Sequence, residues 1–237
     1  MPSAFRSCVP AACPAPLLRR GARWLLAALL AGAALVAGTL HAAPWDDDRM
    51  AIAAQLLGPA AVAALPALRP ALVQAAEMQE EDRLRFVNDF FNRRIRFRED
   101  TVVWNQIDYW ASPLETLARG EGDCEDFAIA KYFSLVAAGT PVSRLRLVYV
   151  RAQLGGGGPP QAHMVLAYHA SPQADPLILD NLVPDVRPAT RRPDLVPVFS
   201  FNGEGLWQGV GAERAGDPVA RLSRWREVLG KARAEGF

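Results

Sequence analysis

The sequence predicts an α+β domain, helical in its first part and antiparallel in its second, and three observations carry that prediction. Between residues 49 and 138 most segments read as helices, and in residues 77–95 the apolar residues recur at spacings of three and four, the pattern of a buried helix face. From Leu145 the period changes to β-prone runs separated by short loops, which favours antiparallel pairing. A last helical pattern over residues 221–235 closes the chain. Helices first and strands later, in 237 residues, describe one domain behind an export segment.

The export segment comes first. No Asp or Glu precedes residue 46, while Arg6, Arg19, Arg20 and Arg23 form a basic stretch. An uncharged run of 17 residues, 24–40, follows it, then the small residues around Ala42 and Ala43. Residues 1–42 therefore read as a secretory signal peptide cut after Ala42, leaving residues 43–237 as the mature domain. A retained anchor is the competing reading. Seventeen residues rich in Gly and Ala lie near the lower limit for a bilayer span, so no stable membrane insertion is expected after cleavage. Cleavage removes four of the 26 basic residues and none of the 25 acidic ones, turning a net charge of +1 into −3. No basic patch argues for nucleic acid, and the basic side of the last helix reads as a solvated face.

The elements follow in order. Residues 49–76, rich in Ala, Leu and Pro, predict short helices broken at Pro59, Pro66 and Pro70. Residues 77–95 predict one longer helix with Leu84, Val87, Phe91 and Ile95 on its inner face. Residues 96–110 read as extended or looped and carry Trp104, Tyr109 and Trp110, which suit either the core or the wall of a cleft. A short helix is expected over 113–118, then a glycine turn at 120–123. An apolar helix over 124–138 is stopped by Gly139 and Pro141. Strand candidates are 145–152, 162–169, 176–182 and 196–201.

The chemistry centres on Cys124. Cys8 and Cys13 leave with the leader, so the mature domain keeps one thiol. A lone thiol in an oxidising compartment is either buried or used. Gly120-Glu121-Gly122-Asp123 places Cys124 at a helix start, where unpaired N–H groups and the helix dipole stabilise a thiolate. The same N–H groups suit an oxyanion. The plainer reading makes Asp123 an N-cap and Cys124 a small core residue. His163 opens a β-prone stretch 39 residues later, and Asp180 ends another 17 residues beyond it. A strand packed on the nucleophile helix can present a general base, and a neighbouring strand the carboxylate that orients it.

The runs Asp108–Leu135 (DYWASPLETLARGEGDCEDFAIAKYFSL), LRLVYVRA, QAHMVLAYHASP, LILDNL and RRPDLVPVFSFN carry a resemblance. In that order they resemble the bacterial transglutaminase-like cysteine proteinases, in particular the LapG-type periplasmic proteases. The resemblance implies a papain-like core in which the nucleophile helix packs on an antiparallel sheet. By motif position it implies Cys124 as nucleophile, His163 as base and Asp180 as third member. It implies Ca²⁺ beside the nucleophile, with Asp123 and Glu125 as ligands; Asp126 is a third candidate. The implied substrate is the N-terminal region of a large surface adhesin, cut at a paired-alanine site to disperse a biofilm. The implied partner is an inner-membrane cyclic-di-GMP receptor that sequesters the protease. Physically, several carboxylates at one helix start suit a hard cation, whereas one Cys and two His suit zinc poorly. A solvated acidic helix start is the plainer alternative. Within enzymes, acyl transfer or amide cleavage on the same scaffold stays open, as does a non-catalytic binding module. The long leader and the glycine tract at 155–158 depart from the family pattern without touching the three residues.

Overall fold

The structure is a computed structural model, and it describes residues 45–153, 155 and 158–237. The expected signal peptide and its cut after Ala42 lie outside the described residues. The first helix, α1 (Asp47–Leu57), is started by Asp46, whose side chain accepts from the Arg49 N–H, and ends at Gly58 with φ of 111°. The second, α2 (Pro59–Glu77), runs straight through Pro66 and Pro70, so of the three expected breaks only the one at Pro59 exists. The reason lies in the helix's two faces. Ala61, Leu65, Leu68, Leu72 and Ala75 are buried at helical spacing, whereas both prolines are exposed. Carbonyls left unpaired by the prolines therefore face water, and burial of the inner face outweighs two lost hydrogen bonds.

The predicted long helix is α3 (Glu80–Arg94), with three acidic residues in its first turn and Arg93 and Arg94 in its last, both favourable to the helix dipole. Leu84, Val87, Phe91 and the following Ile95 are all buried, as their spacing predicted. Residues 96–110 are more structured than expected. They hold a two-residue strand, β1 (Arg96–Phe97), and a single helical turn, α4 (Asp100–Val103). Next comes α5 (Pro113–Arg119), opened by a capping box between Ser112 and Glu115 and closed by Gly120 at φ of 63°. The expected turn contains β2 (Glu121–Gly122), which pairs in parallel with β1. That bridge ties the 96–110 segment to the residues just before Cys124.

Helix α6 (Cys124–Ala137) is buried along most of its length. It packs on a seven-stranded sheet of β3 (Leu145–Ala152), β4 (Gln161–Tyr168), β5 (Leu177–Leu179), β6 (Arg187–Pro188), β7 (Leu195–Phe201), β8 (Leu206–Gln208) and β9 (Arg214–Gly216). The strand order is β6-β5-β4-β3-β7-β8-β9, and every pairing is antiparallel. Leu145, Leu147, Met164, Leu166 and Leu179 face the helices, in one core with α2, α3 and α6. Val148, Val150, Val165, Ala167 and Ile178 form a smaller cluster on the opposite face, where Ala189 of the β6–β7 connection and Leu195 at the start of β7 pack. The chain ends with α7 (Pro218–Arg221) and α8 (Ser223–Ala234). Trp225 of α8 is fully buried, stacked on Phe133 of α6 and edge-on to Phe201 of β7. The predicted class stands: α+β, with a helical first part and a central helix on an antiparallel sheet. No helix among the described residues is long and apolar enough to cross a membrane.

Candidate active site

Cys124 is the first residue of α6, and Asp123 occupies the N-cap position in extended conformation. The Asp123 side chain makes no capping bond, so the plain N-cap reading fails. The first N–H groups of the helix have no intrahelical acceptors. Cys124 is half-buried and lines a cleft of about 350 Å³ together with His163, Trp110, Tyr149, Met164 and Leu182. The cleft's rim is acidic, carrying Glu99, Asp108, Asp123 and Glu125.

His163 lies in β4, opposite Val150 of β3. Its Nε2 lies 2.9 Å from Asp180 Oδ1, and both side chains are buried. An ionised carboxylate only accepts, so Nε2 carries the proton and Nδ1 is left unprotonated in the neutral ring. Asp180 directly follows β5 and is fixed from several sides. The Leu182 N–H donates to its Oδ1, the Arg192 Nη2 donates to its Oδ2, and the Asn92 side chain of α3 donates to its backbone carbonyl. Burial alone would raise its pKa; the bonds from His163, Leu182 and Arg192 win and hold it down at about 2. The fold thus brings the three sequence-selected residues to one place. His169, the other mature histidine, lies beyond the end of β4 and lines a different pocket with Arg144 and Arg146.

A cluster of carboxylates surrounds the thiol. Asp100, Asp123 and Asp126 each offer an oxygen within 4.8 Å of the others, as do Asp100, Asp108 and Glu125, and in a third group oxygens of Asp123 and Glu125 lie within that distance of the Cys124 sulfur. Oxygens on a common Ca²⁺, bound at about 2.3–2.6 Å, lie within this reach of one another. The side chains are arranged for such a role. One oxygen of Asp126 accepts from the Ala111 N–H at 2.8 Å, and one of Asp100 accepts from the Tyr109 N–H. The remaining oxygens, Asp126 Oδ2 and Asp100 Oδ1, are buried with no partner among the described residues, as is Asp123 Oδ1. Buried orphan acceptors are rare and costly. The donor set therefore fits a hard divalent cation. Gly122 makes room for the Asp126 side chain: a Cβ there would lie 2.6 Å from Asp126 Oδ2.

Electrostatics point the same way. Burial, then repulsion from Glu125, pushes the Asp123 carboxyl far above its ordinary value, and burial does the same to Asp126. Asp100 is raised to about 6, first by burial. The Cys124 thiol is driven up by burial and by Glu125 and Asp123, while the Met164 N–H opposes the shift. Its S–H donates to Glu125 Oε2 at 3.1 Å. A cation among these carboxylates would oppose that shift.

Asp100 and Asp108 escaped the sequence reading. They precede Asp123 by a segment read as a loop, and only the β1–β2 bridge and α4 bring them to it. Of the three aromatic residues, Trp110 lines the cleft and stacks on Phe201, whereas Trp104 packs at a tilt against Tyr109, and none is fully buried.

Comparison with known proteins identifies the family. The family described as bacterial transglutaminase-like cysteine proteinase BTLCP matches residues 67–208. Sequence comparison with curated proteins finds no match. Among solved structures, Legionella pneumophila LapG is 36% identical, with a TM-score of 0.66, over 78% of this chain and 96% of that one. The EGTA-treated form of the same protein gives a TM-score of 0.68 at the same identity and coverage. Its calcium-bound form gives 0.65 at 36% identity, over 78% of this chain and 97% of that one. The chain belongs to the bacterial transglutaminase-like cysteine proteinase family.

Proposed function

We propose that the protein is a calcium-dependent cysteine endopeptidase of the periplasm, with Cys124 as nucleophile, His163 as general base and Asp180 as the carboxylate that orients it. The observation that carries this reading is the buried His163–Asp180 bond opening onto the cleft that also holds Cys124. The mature enzyme is the domain of residues 43–237, exported by residues 1–42.

The chemistry follows from the arrangement. His163 Nδ1 takes the Cys124 proton, and the sulfur adds to the scissile carbonyl carbon. The free N–H groups at the start of α6 donate to the oxyanion that forms. Collapse expels the amine, which takes the proton from His163 and leaves a thioester on Cys124. Water, deprotonated by His163, then hydrolyses the thioester and regenerates the thiol. Asp180 keeps the imidazole in the tautomer this cycle needs. Asp100, Asp123, Glu125 and Asp126 would hold the cation, with Asp108 on the rim. A bound Ca²⁺ supplies the positive charge that offsets these carboxylates and lowers the barrier to ionising the thiol. Support for calcium comes from the orphaned oxygens and from the calcium-bound relative.

The substrate proposed is the N-terminal region of a large surface adhesin, cut at a paired-alanine site, with release of the adhesin and dispersal of a biofilm. The proposed regulator is an inner-membrane cyclic-di-GMP receptor that sequesters the protease. Both rest on the family membership. The test is to incubate the protein with the N-terminal segment of the same organism's largest adhesin. One discrete cut, absent in EGTA and in Cys124→Ala, is expected. Cleavage that persists in Cys124→Ala would refute the mechanism, and no cleavage by the folded, calcium-supplied protein would refute the substrate.

A further inference from the structure

We infer that Arg192 is a positioning residue for the site: reaching Asp180 from the β6–β7 connection, it fixes the carboxylate that holds His163 in one tautomer. The inference rests on the peptidase reading for its catalytic consequence, though not for its structural one. Arg192 follows the short turn Ala189–Arg191. Its Nη2 donates to Asp180 Oδ2 at 2.8 Å, while Nε and Nη2 also reach Asp194, at 3.0 and 2.7 Å. The Arg192 side chain is 3% exposed, Asp180 0% and Asp194 32%. A chain of bonds therefore runs from the surface at Asp194 through Arg192 and Asp180 to His163 in the cleft.

A guanidinium buried to this degree is expensive unless it is paired and bonded. Here the pairing has a direction. Asp180 Oδ1 takes the donors His163 and Leu182, and Oδ2 takes Arg192. With both oxygens assigned, the carboxylate cannot rotate without breaking a bond. Loss of Arg192 would leave Oδ2 of a fully buried carboxylate without its donor and favour uptake of a proton there, and a protonated Asp180 would no longer be the charged acceptor that orients His163. The buried Lys131 of α6 feels the charges of Asp180 and of Asp89 in α3, which favour its protonation, but burial outweighs them and lowers its pKa to about 7, so near neutral pH its charge is only partial. Among the described residues Lys131 makes no hydrogen bond to Asp180, whereas Arg192 does and so sets the carboxylate's orientation. Nothing in the order of the sequence marks Arg192 over its neighbour Arg191.

The test uses full-length, calcium-supplied protein labelled with ¹⁵N-histidine. Three histidines keep the spectrum simple, and a His163→Gln spectrum assigns the signal. The native protein should show His163 protonated at Nε2 alone. Arg192→Met should show a mixture of tautomers and lower kcat on the adhesin segment by about 10- to 100-fold with KM unchanged, the range for loss of an orienting partner. Arg192→Lys, which keeps the charge, should restore the single tautomer and most of the activity. A folded Arg192→Met with the native tautomer would overturn the inference, whatever its activity. If Arg192→Met does not fold, Asp194→Asn carries the test from the exposed end of the chain. It should lower kcat by a few-fold with the same change in the His163 signal, and an unchanged signal and kcat would overturn the inference. If the tautomer shifts as expected but the native protein cuts no adhesin segment, the positioning role stands and the peptidase reading falls.

Discussion

Gly122→Ala probes the acidic cluster without substituting any of its carboxylates. The φ of Gly122 is not positive, so alanine fits its backbone and the effect is steric. The added Cβ would lie 2.6 Å from Asp126 Oδ2 and 2.9 Å from Asp126 Cβ, against the roughly 3.5 Å of relaxed carbon contact. Rotating the carboxylate relieves the first contact but not the second, because Asp126 Cβ is rooted in the first turn of α6. Relief requires the turn to shift, which strains the 2.8 Å bond from the Ala111 N–H to Asp126 Oδ1. Loss of a hydrogen bond to a charged group costs about 1.5–3 kcal/mol. At 1.4 kcal/mol per factor of ten, calcium should bind about 10- to 100-fold more weakly. The assay is calorimetric titration of Ca²⁺ into native and Gly122→Ala protein, with Tm in chelator as the check on folding. Native calcium affinity in Gly122→Ala would refute the placement of Asp126 in a cation site.

Two further predictions concern stability. Trp225→Ala removes the side chain that joins α8 to α6 and β7, and should cost about 3–5 kcal/mol in urea unfolding; a cost under 1 kcal/mol would refute its place in the core. Glu235, next to Ser112 at the start of α5, has its carboxyl raised by burial from 4.5 to about 7. Between those values the folded state binds the extra proton, so this contribution is complete below pH 4.5 and is lost as the pH rises through 7. Glu235→Gln should therefore gain stability relative to the native protein between pH 5 and pH 8, by up to about 3 kcal/mol. An equal difference at both pH values would show that Glu235 does not titrate this way.

Local patterns carried much of the fold. The alternation in LRLVYVRA became β3 with the predicted bounds, and the inner face of α3 came directly from its spacing. The prolines of α2 misled because proline's cost depends on which face it occupies, and the exposed face became evident only after the helix had packed. The same division holds at the site. Cys124 at a helix start, His163 on a strand and Asp180 just past the end of the next one were legible from order and spacing. Asp100 and Arg192 were not, because each reaches the site through tertiary structure: Asp100 through the β1–β2 bridge, Arg192 through the connection behind the sheet. The chemistry of an Asp in a loop or of one Arg in a pair is decided by what the fold sets beside it.

The central claim couples the acidic cluster to the nucleophile, and the rate of Cys124 alkylation by iodoacetamide at neutral pH tests it most directly. Peptide mapping distinguishes Cys124 from Cys8 and Cys13, and the rate is compared in calcium, in EGTA and in calcium with His163→Gln. The account predicts a fast reaction only in the calcium-supplied native protein, slowed by the chelator and by loss of His163. Equal rates in all three would contradict it, because Cys124 would then be a thiol that neither the carboxylates nor His163 controls.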